Sequence, residues 1–570
     1  MTRFTIAAAA SAALLLAVYS APAQTPSSTP KPDMAGMAMP PMPALYGQAD
    51  KPGAPMFKGL GDHHHRISAG NPQIQAYFDQ GINLLFGFNH AEAIRSFREA
   101  ARLDPDCAMC WWGVAFALGP NINLPMQADT VAPAWAALGN ARTLESHASP
   151  EEREWIDALA ARYSNDPKAD RKPLDEAFAQ AMGKLSRAHV EDLDAGVFYA
   201  EAMMDTQPWN YWEQDGETLK GHGQEIVSTL ENIIKQEPDH PGALHLYIHA
   251  VEASTHPERA EAAADRLEPL MPAAGHIVHM PSHIYYRVGR YADAVHVNEL
   301  AAKADEDYIA TCKAQGFYPL AYYSHNIHFL WTSSEMMGRY QAAIDAAHRV
   351  VKASANGPAE QVPPLQLYLF TPIVTDIRFG KWNAALAESR PTPNLKLASA
   401  MWLYASGFAH ANKRDFAAAR KDLDEIDAMI DRREFTAIDA FGVPGTQMAK
   451  LGEALLDGEI LRLTGHLTGA IVQFGRAREI ERALPYTEPP YWHQPVSHIL
   501  GAALLAAHRP AEAEAVYRDS LNSYRLDGWA LYGLTRALEG QHKAKEAAMV
   551  RAVFDKAWSM ADVKLASSRF

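Results

Sequence analysis

The chain is predicted to be all-α, a solenoid of stacked helical hairpins. A 34-residue period runs through its middle, apolar residues recur within that period at helical spacing, and prolines punctuate the units at matching places. Ile226, Ala260 and Ala294 are spaced by 34, as are Pro238 and Pro272, and the triplet Ile226, Leu230, Ile233 returns as Ala260, Ala264, Leu267. One hairpin cannot bury its own apolar face, so units of this kind stack and share a continuous core.

Taken from the N-terminus, residues 1–23 carry the pattern of a secretory signal peptide, with Arg3 as the basic residue, an apolar run, and Ala21-Pro22-Ala23 as a small-x-small cleavage site. The expected product is soluble in the periplasm or outside the cell, because no later apolar stretch is long enough to cross a bilayer. Residues 24–72 are rich in Pro, Met, Ser and Gly, and are expected to be a disordered leader. It contains Met34, Met37, Met39 and Met42, whose thioethers suit a soft ion such as Cu(I), and His63, His64 and His65, read either as accessory ligands or as a polar entry to the solenoid.

The solenoid is expected over residues 73–570, clearest at about 74–107, 207–308, 324–357, 400–433, 451–484 and 494–527. Stretches near 120–205 and 350–395 fit only as irregular hairpins. Gly81, Ala93, Phe97, Ala100 and Pro105 follow one consensus in full; Gly407, Ala419 and Leu423, then Gly458, Ala470, Phe474 and Ala477, then Gly501, Ala513 and Tyr517 follow it in part. In these residues the chain resembles the tetratricopeptide repeat (TPR) superfamily. Phrases such as HMPSHIYYRVGRY (279–291) also look like those of secreted bacterial TPR proteins of uncharacterised function. The resemblance implies a right-handed solenoid with a concave groove that takes a protein, a peptide or a small ligand.

On that lattice His245 and His249 recur as His279 and His283, with His276 just ahead, and His325 and His328 follow in the next unit. Spacings of three, four and seven keep side chains on one helix face. The family's pattern implies that all seven line the groove. Neutral imidazoles in that number suit a transition metal, with Cu or Zn expected, more than Ca or Mg. The other reading is a polar groove that hydrogen-bonds a peptide or carboxylate. Glu252 and Tyr286 are the candidate catalytic groups if the groove is a metal-dependent enzyme, a hydrolase or oxidoreductase. A third reading makes the chain a structural adaptor with incidental histidines. His498 stands alone near the C-terminus and is read as a surface residue.

Other chemistries find no support. His245-Leu-Tyr-Ile-His249 lacks the glutamate of HExxH, and no GxSxG, phosphate-cradling glycine loop or dinucleotide fingerprint occurs. A net charge of −15 with no basic run argues against nucleic acid as a partner. Cys107 and Cys110 form a CxxC pair that closes a local disulfide or packs as two small residues, with Cys312 left over; Trp111 after Cys110 excludes a c-type haem site.

Overall fold

A computed structural model describes residues 39–47, 49–354 and 359–570. The expected signal peptide, Met34 and Met37 lie outside the described residues. No described helix is long and apolar enough to cross a membrane.

The chain is all-α and divides into two compact units, with two of the boundaries inside helices and another at residue 324. One unit comprises residues up to 284 together with 300–323, and the other comprises 285–299 with 324–570. In chain order the first carries α1 (Pro72–Phe86), α2 (His90–Leu103), α3 (Ala108–Ala117), α4 (Val131–Thr143), α5 (Pro150–Ala160), α6 (Arg171–Ala188), α7 (Leu193–Asp205), α8 (Gly223–Gln236), α9 (Pro241–Val251), α10 (Glu261–Leu267) and α11 (Gly275–His279). The boundaries cut α12 (Pro281–Val288) and α13 (Tyr291–Cys312). The second unit continues with α14 (Ser324–Met336), α15 (Tyr340–Ser354), the short α16 (Gln366–Leu369), α17 (Thr371–Arg378) and α18 (Trp382–Ala385), and α19 (Lys396–Asn412), α20 (Phe416–Asp431), α21 (Thr436–Ala440), α22 (Gly445–Leu463), α23 (Leu467–Ala483), α24 (Val496–Ala506), α25 (Pro510–Ser523), α26 (Gly528–Gly540) and α27 (Ala544–Ala557).

The helices pair as stacked hairpins, and the reason is visible in their glycines. Asn71 caps α1 by accepting from the Gln73 and Ile74 N–H groups, Pro72 starts the helix, and Ile74, Phe78, Ile82 and Leu85 bury one face. Phe97 of α2 then inserts between Gly81 of α1 and Gly113 of α3, where a methyl group on either glycine would overlap its ring. Tyr517 of α25 is gripped in the same way by Gly501 and Gly533, and Phe474 of α23 lies on Gly458. One aromatic thus joins three successive helices, which is how each hairpin buries its face against the next.

The residues just before α1 differ from the sequence expectation. Segment 53–68, expected to be part of a disordered leader, is an extended strap fixed along the first unit. Phe57 N–H donates to Gln80 Oε1 (2.8 Å), Gln80 Nε2 to the Pro55 carbonyl (2.9 Å), the Tyr77 hydroxyl to the Ala54 carbonyl (3.0 Å) and Ala273 N–H to the Gly59 carbonyl (2.9 Å). Ala54, Leu60, His65 and Ile67 are buried. Pro and Gly composition correctly marks the strap as non-helical, but long-range partners order it.

The CxxC pair is a disulfide, Cys107–Cys110, at the start of α3, and Cys312 is a free thiol.

Candidate functional site

Histidines of the first unit converge from α9, α11 and α12. Pro241 and the His240 cap start α9, and the spacing of four carries His245 and His249 inward on one face, toward His276 of the short α11. One ring nitrogen from each of His245, His249 and His276 lies within 4.8 Å of the others, and the Nε2 atoms of His245 and His276 are 3.2 Å apart. Ligands bound at the usual zinc–nitrogen length of about 2.0–2.1 Å in a tetrahedron stand roughly 3.3 Å from each other. The pair already has that separation.

Partners on the far side of the rings set the tautomers. His245 Nδ1 donates to the Phe86 carbonyl (2.6 Å), and His249 Nδ1 donates to Glu252 Oε1 (2.8 Å). When these imidazoles are neutral, each Nε2 is then a bare lone pair directed into the cluster. His249 Nε2 is buried and has no hydrogen-bond partner. Glu252 uses its other oxygen to accept from His283 Nδ1 (2.6 Å), and His283 Nε2 in turn lies 2.9 Å from His279 Nε2. One carboxylate therefore orients an imidazole of the triad and ties it to the His279–His283 pair, the arrangement in which outer groups fix metal-ligating histidines.

Electrostatics keep these imidazoles neutral. Burial, reinforced by His249, holds the His245 imidazolium well below its usual range, and burial also lowers His249 against the pull of Glu252. Burial alone would raise Glu252, yet His283 and the hydrogen bonds from both imidazoles hold it at about 2. A carboxylate so stabilised is a poor general base and a good orienting group.

The structure corrects the expectation that these histidines line an open groove. His245, His249, His276, His279 and His283 are each at most 2% exposed. Phe88 covers His245, His249 and His276, its ring 4.6 Å from His245 and stacked 5.3 Å from His276, together with Trp209 (4.9 Å from His249) and Tyr322 (4.6 Å from His276). Phe88 and Trp209 sit in connections with φ of 52° and 62°, a region costly for aromatic residues and a recurrent mark of sites where geometry serves function. Neither Phe88 nor Trp209 is among the site residues expected from sequence.

The other candidates lie on α12, α14 and the segment ahead of α1. His325 and His328 are on α14 in the second unit; His328 stacks on Trp331 at 5.0 Å, and burial lowers it to about 3. The Tyr286 hydroxyl, also in that unit, is 3.5 Å from Thr332 Oγ1, and burial raises it above the usual phenol range. Met39 Sδ accepts from Asn140 Nδ2 (3.8 Å), and Met42 is half-buried. His64 is exposed, with Nδ1 2.8 Å from Asp79 Oδ2. His63 Nε2 (3.0 Å), His65 Nδ1 (2.7 Å) and His240 Nε2 (3.1 Å) surround the carboxylate of Asp194. His240 Nδ1 accepts the Ala243 N–H at the start of α9, so the proton of a neutral His240 is on Nε2 and is donated to Asp194. His498, read as a surface residue, is fully buried with Nε2 2.5 Å from Asp527 Oδ2, because Asp527, the cap of α26, is carried against it.

No protein-family description matches the chain, and no curated protein is significantly similar to it. Among solved structures the chain is similar to the human IFIT1 dimer with m7Gppp-AAAA at 12% identity, over 87% of this chain and 92% of that one, with a TM-score of 0.31. It is similar to the P58(IPK) TPR domain at 13% identity, over 64% and 93%, with a TM-score of 0.19. Neither ligand nor activity carries over at such scores.

Proposed function

We propose that the chain is an exported TPR-like scaffold that holds one transition-metal ion, zinc or copper, on His245, His249 and His276. The observation that carries this reading is His249 Nε2, a buried lone pair with no partner, facing the two Nε2 atoms that stand 3.2 Å apart. Leaving a buried polar group unpaired costs about 1–3 kcal/mol, a cost that ligation removes. Nitrogen-only donors of this kind suit zinc or copper. Export is supported by the pattern of residues 1–23 and by the Cys107–Cys110 disulfide, a bond typical of oxidising compartments.

The test is elemental analysis of protein purified without a histidine tag, beside a variant carrying His245→Ala and His249→Ala. One equivalent of metal in the native chain, absent from the variant, is the expected result. No metal in the native protein, together with an unchanged melting temperature on adding zinc or copper, refutes the reading.

A further inference from the structure

The strap borders a cavity of about 400 Å³ in the first unit, enclosed between residues 57–60, the end of α1, the turn at 272–274 and the last turns of α13. Small-molecule sites occupy about 300–1,000 Å³. Leu60, Leu84 and Pro272 make one side apolar. The other side is aromatic and acidic. Phe57, Tyr308 and Tyr318 stand edge to face in succession, with ring centroids 6.2 Å and 5.5 Å apart, and all three border the space.

Carboxylates set the sign of the potential around these rings. Asp305 is buried, and its Oδ1 accepts from the Tyr318 hydroxyl (2.9 Å). Asp307 is exposed and pairs with Lys303, while Glu92, held by Arg95 (2.9 Å), has one oxygen 3.5 Å from the Tyr308 hydroxyl. Burial raises both phenols well above their usual range, with Asp305 adding to the rise at Tyr318 and Glu92 at Tyr308. Each ring therefore keeps its proton and presents a neutral face rich in electron density. Among the described residues that line the cavity, Lys58 is the one cation, and it lies exposed on the strap. Aromatic faces attract a cation, most strongly where water is excluded, whereas an anion would meet the charges of Asp305 and Asp307.

We propose that this cavity binds a small organic ammonium ion, its cationic head against the rings of Phe57, Tyr308 and Tyr318 on the side of Asp305 and its hydrocarbon along Leu60, Leu84 and Pro272. An alkylated ammonium suits the site better than a metal ion or a bare ammonium. Its charge is spread over methyl groups that need no hydrogen-bond acceptor, and the carboxylates here already accept from Tyr318 and Lys303. No residue lining the cavity belongs to the histidine cluster, so binding there needs no metal.

The probe is hexyltrimethylammonium, titrated by calorimetry into the full chain, with hexanol and hexanoate as the neutral and anionic controls. The ammonium is expected to bind at one equivalent, hexanol more weakly and hexanoate least. Phe57→Leu keeps hydrocarbon in place of the ring, so affinity for the ammonium should fall about two- to thirty-fold while that for hexanol holds. Lys58→Glu, at an exposed position that does not endanger folding, should tighten the ammonium about two- to five-fold at low salt without changing the melting temperature. Absence of ammonium binding, or hexanoate binding as tightly, overturns the proposal. So does an ammonium affinity that Phe57→Leu leaves unchanged or that Lys58→Glu weakens.

Discussion

Glu252 shows at the scale of one residue why the imidazole cluster is organised rather than incidental. Two buried Nδ1–H groups share its carboxylate at 2.8 and 2.6 Å, which leaves both Nε2 atoms aimed away from it. Glu252→Gln keeps the size but presents an amide donor to one of those N–H groups, so that ring must turn or lose its bond. Metal affinity should fall about 10–100-fold, read by competition with a chromogenic chelator. Equal affinity would show that Glu252 does not orient a ligand. Much of this was legible beforehand, because the spacing of His245, His249 and His276 follows from helix geometry and a visible period. Phe88 and Trp209 were not legible as covers, since left-handed residues in connections carry no periodic signal. His498 was misread for a related reason: its partner Asp527 comes from the next helical pair, and a lone histidine in sequence says nothing of what faces it.

Single elements are held by a few contacts whose removal has calculable consequences. Phe97 between Gly81 and Gly113 makes Gly113→Ala an overpacking change, expected to cost about 1–3 kcal/mol, whereas Phe97→Ala should cost about 3–5 kcal/mol. Denaturant unfolding of the two single variants and the double variant measures both. The double should cost less than the sum, because the shortened side chain makes room for the methyl; strict additivity would mean that ring and glycine do not meet. The strap was legible as non-helical but not as ordered, since His63 and His65 find Asp194 some 130 residues along the chain (131 and 129). Asp194→Asn replaces an acceptor of three imidazoles with a group that can accept on one atom only, and faster amide exchange across 57–67 is the expected readout. In the second unit, Arg569 makes paired hydrogen bonds of 2.8 Å to Glu459, which Arg462 also contacts. Burial opposes ionisation there, but these arginines hold Glu459 at about 2. A carboxylate lowered in this way contributes stability that is present above its unfolded value, about 4.3, and is lost as pH falls toward 2. The C-terminal residues 561–570 should therefore lose exchange protection over that interval, and constant protection from pH 5 to pH 2 would disprove the link.

For the whole molecule, the repeat made the architecture legible, because a hairpin array is specified one neighbour at a time and each unit leaves its own mark in sequence. The same locality limits how far a bound ion can act. All three proposed ligands, His245, His249 and His276, belong to one of the two compact units. An ion that binds only the folded state adds about 2.7 kcal/mol when its free concentration is 100 times Kd. In an array whose stability is a sum of units and neighbouring interfaces, that gain goes to the helices supplying the ligands and fades along the chain. Zinc or copper added to metal-free protein should therefore slow amide exchange in α9, α11 and the adjoining α8 and α10. It should leave α19 to α27 exchanging as before. Uniform slowing over the whole chain would mean that the molecule opens as one cooperative body. Slowing confined to α14 and its neighbours would place the ion on His325 and His328 instead, and would overturn the assignment to the buried triad.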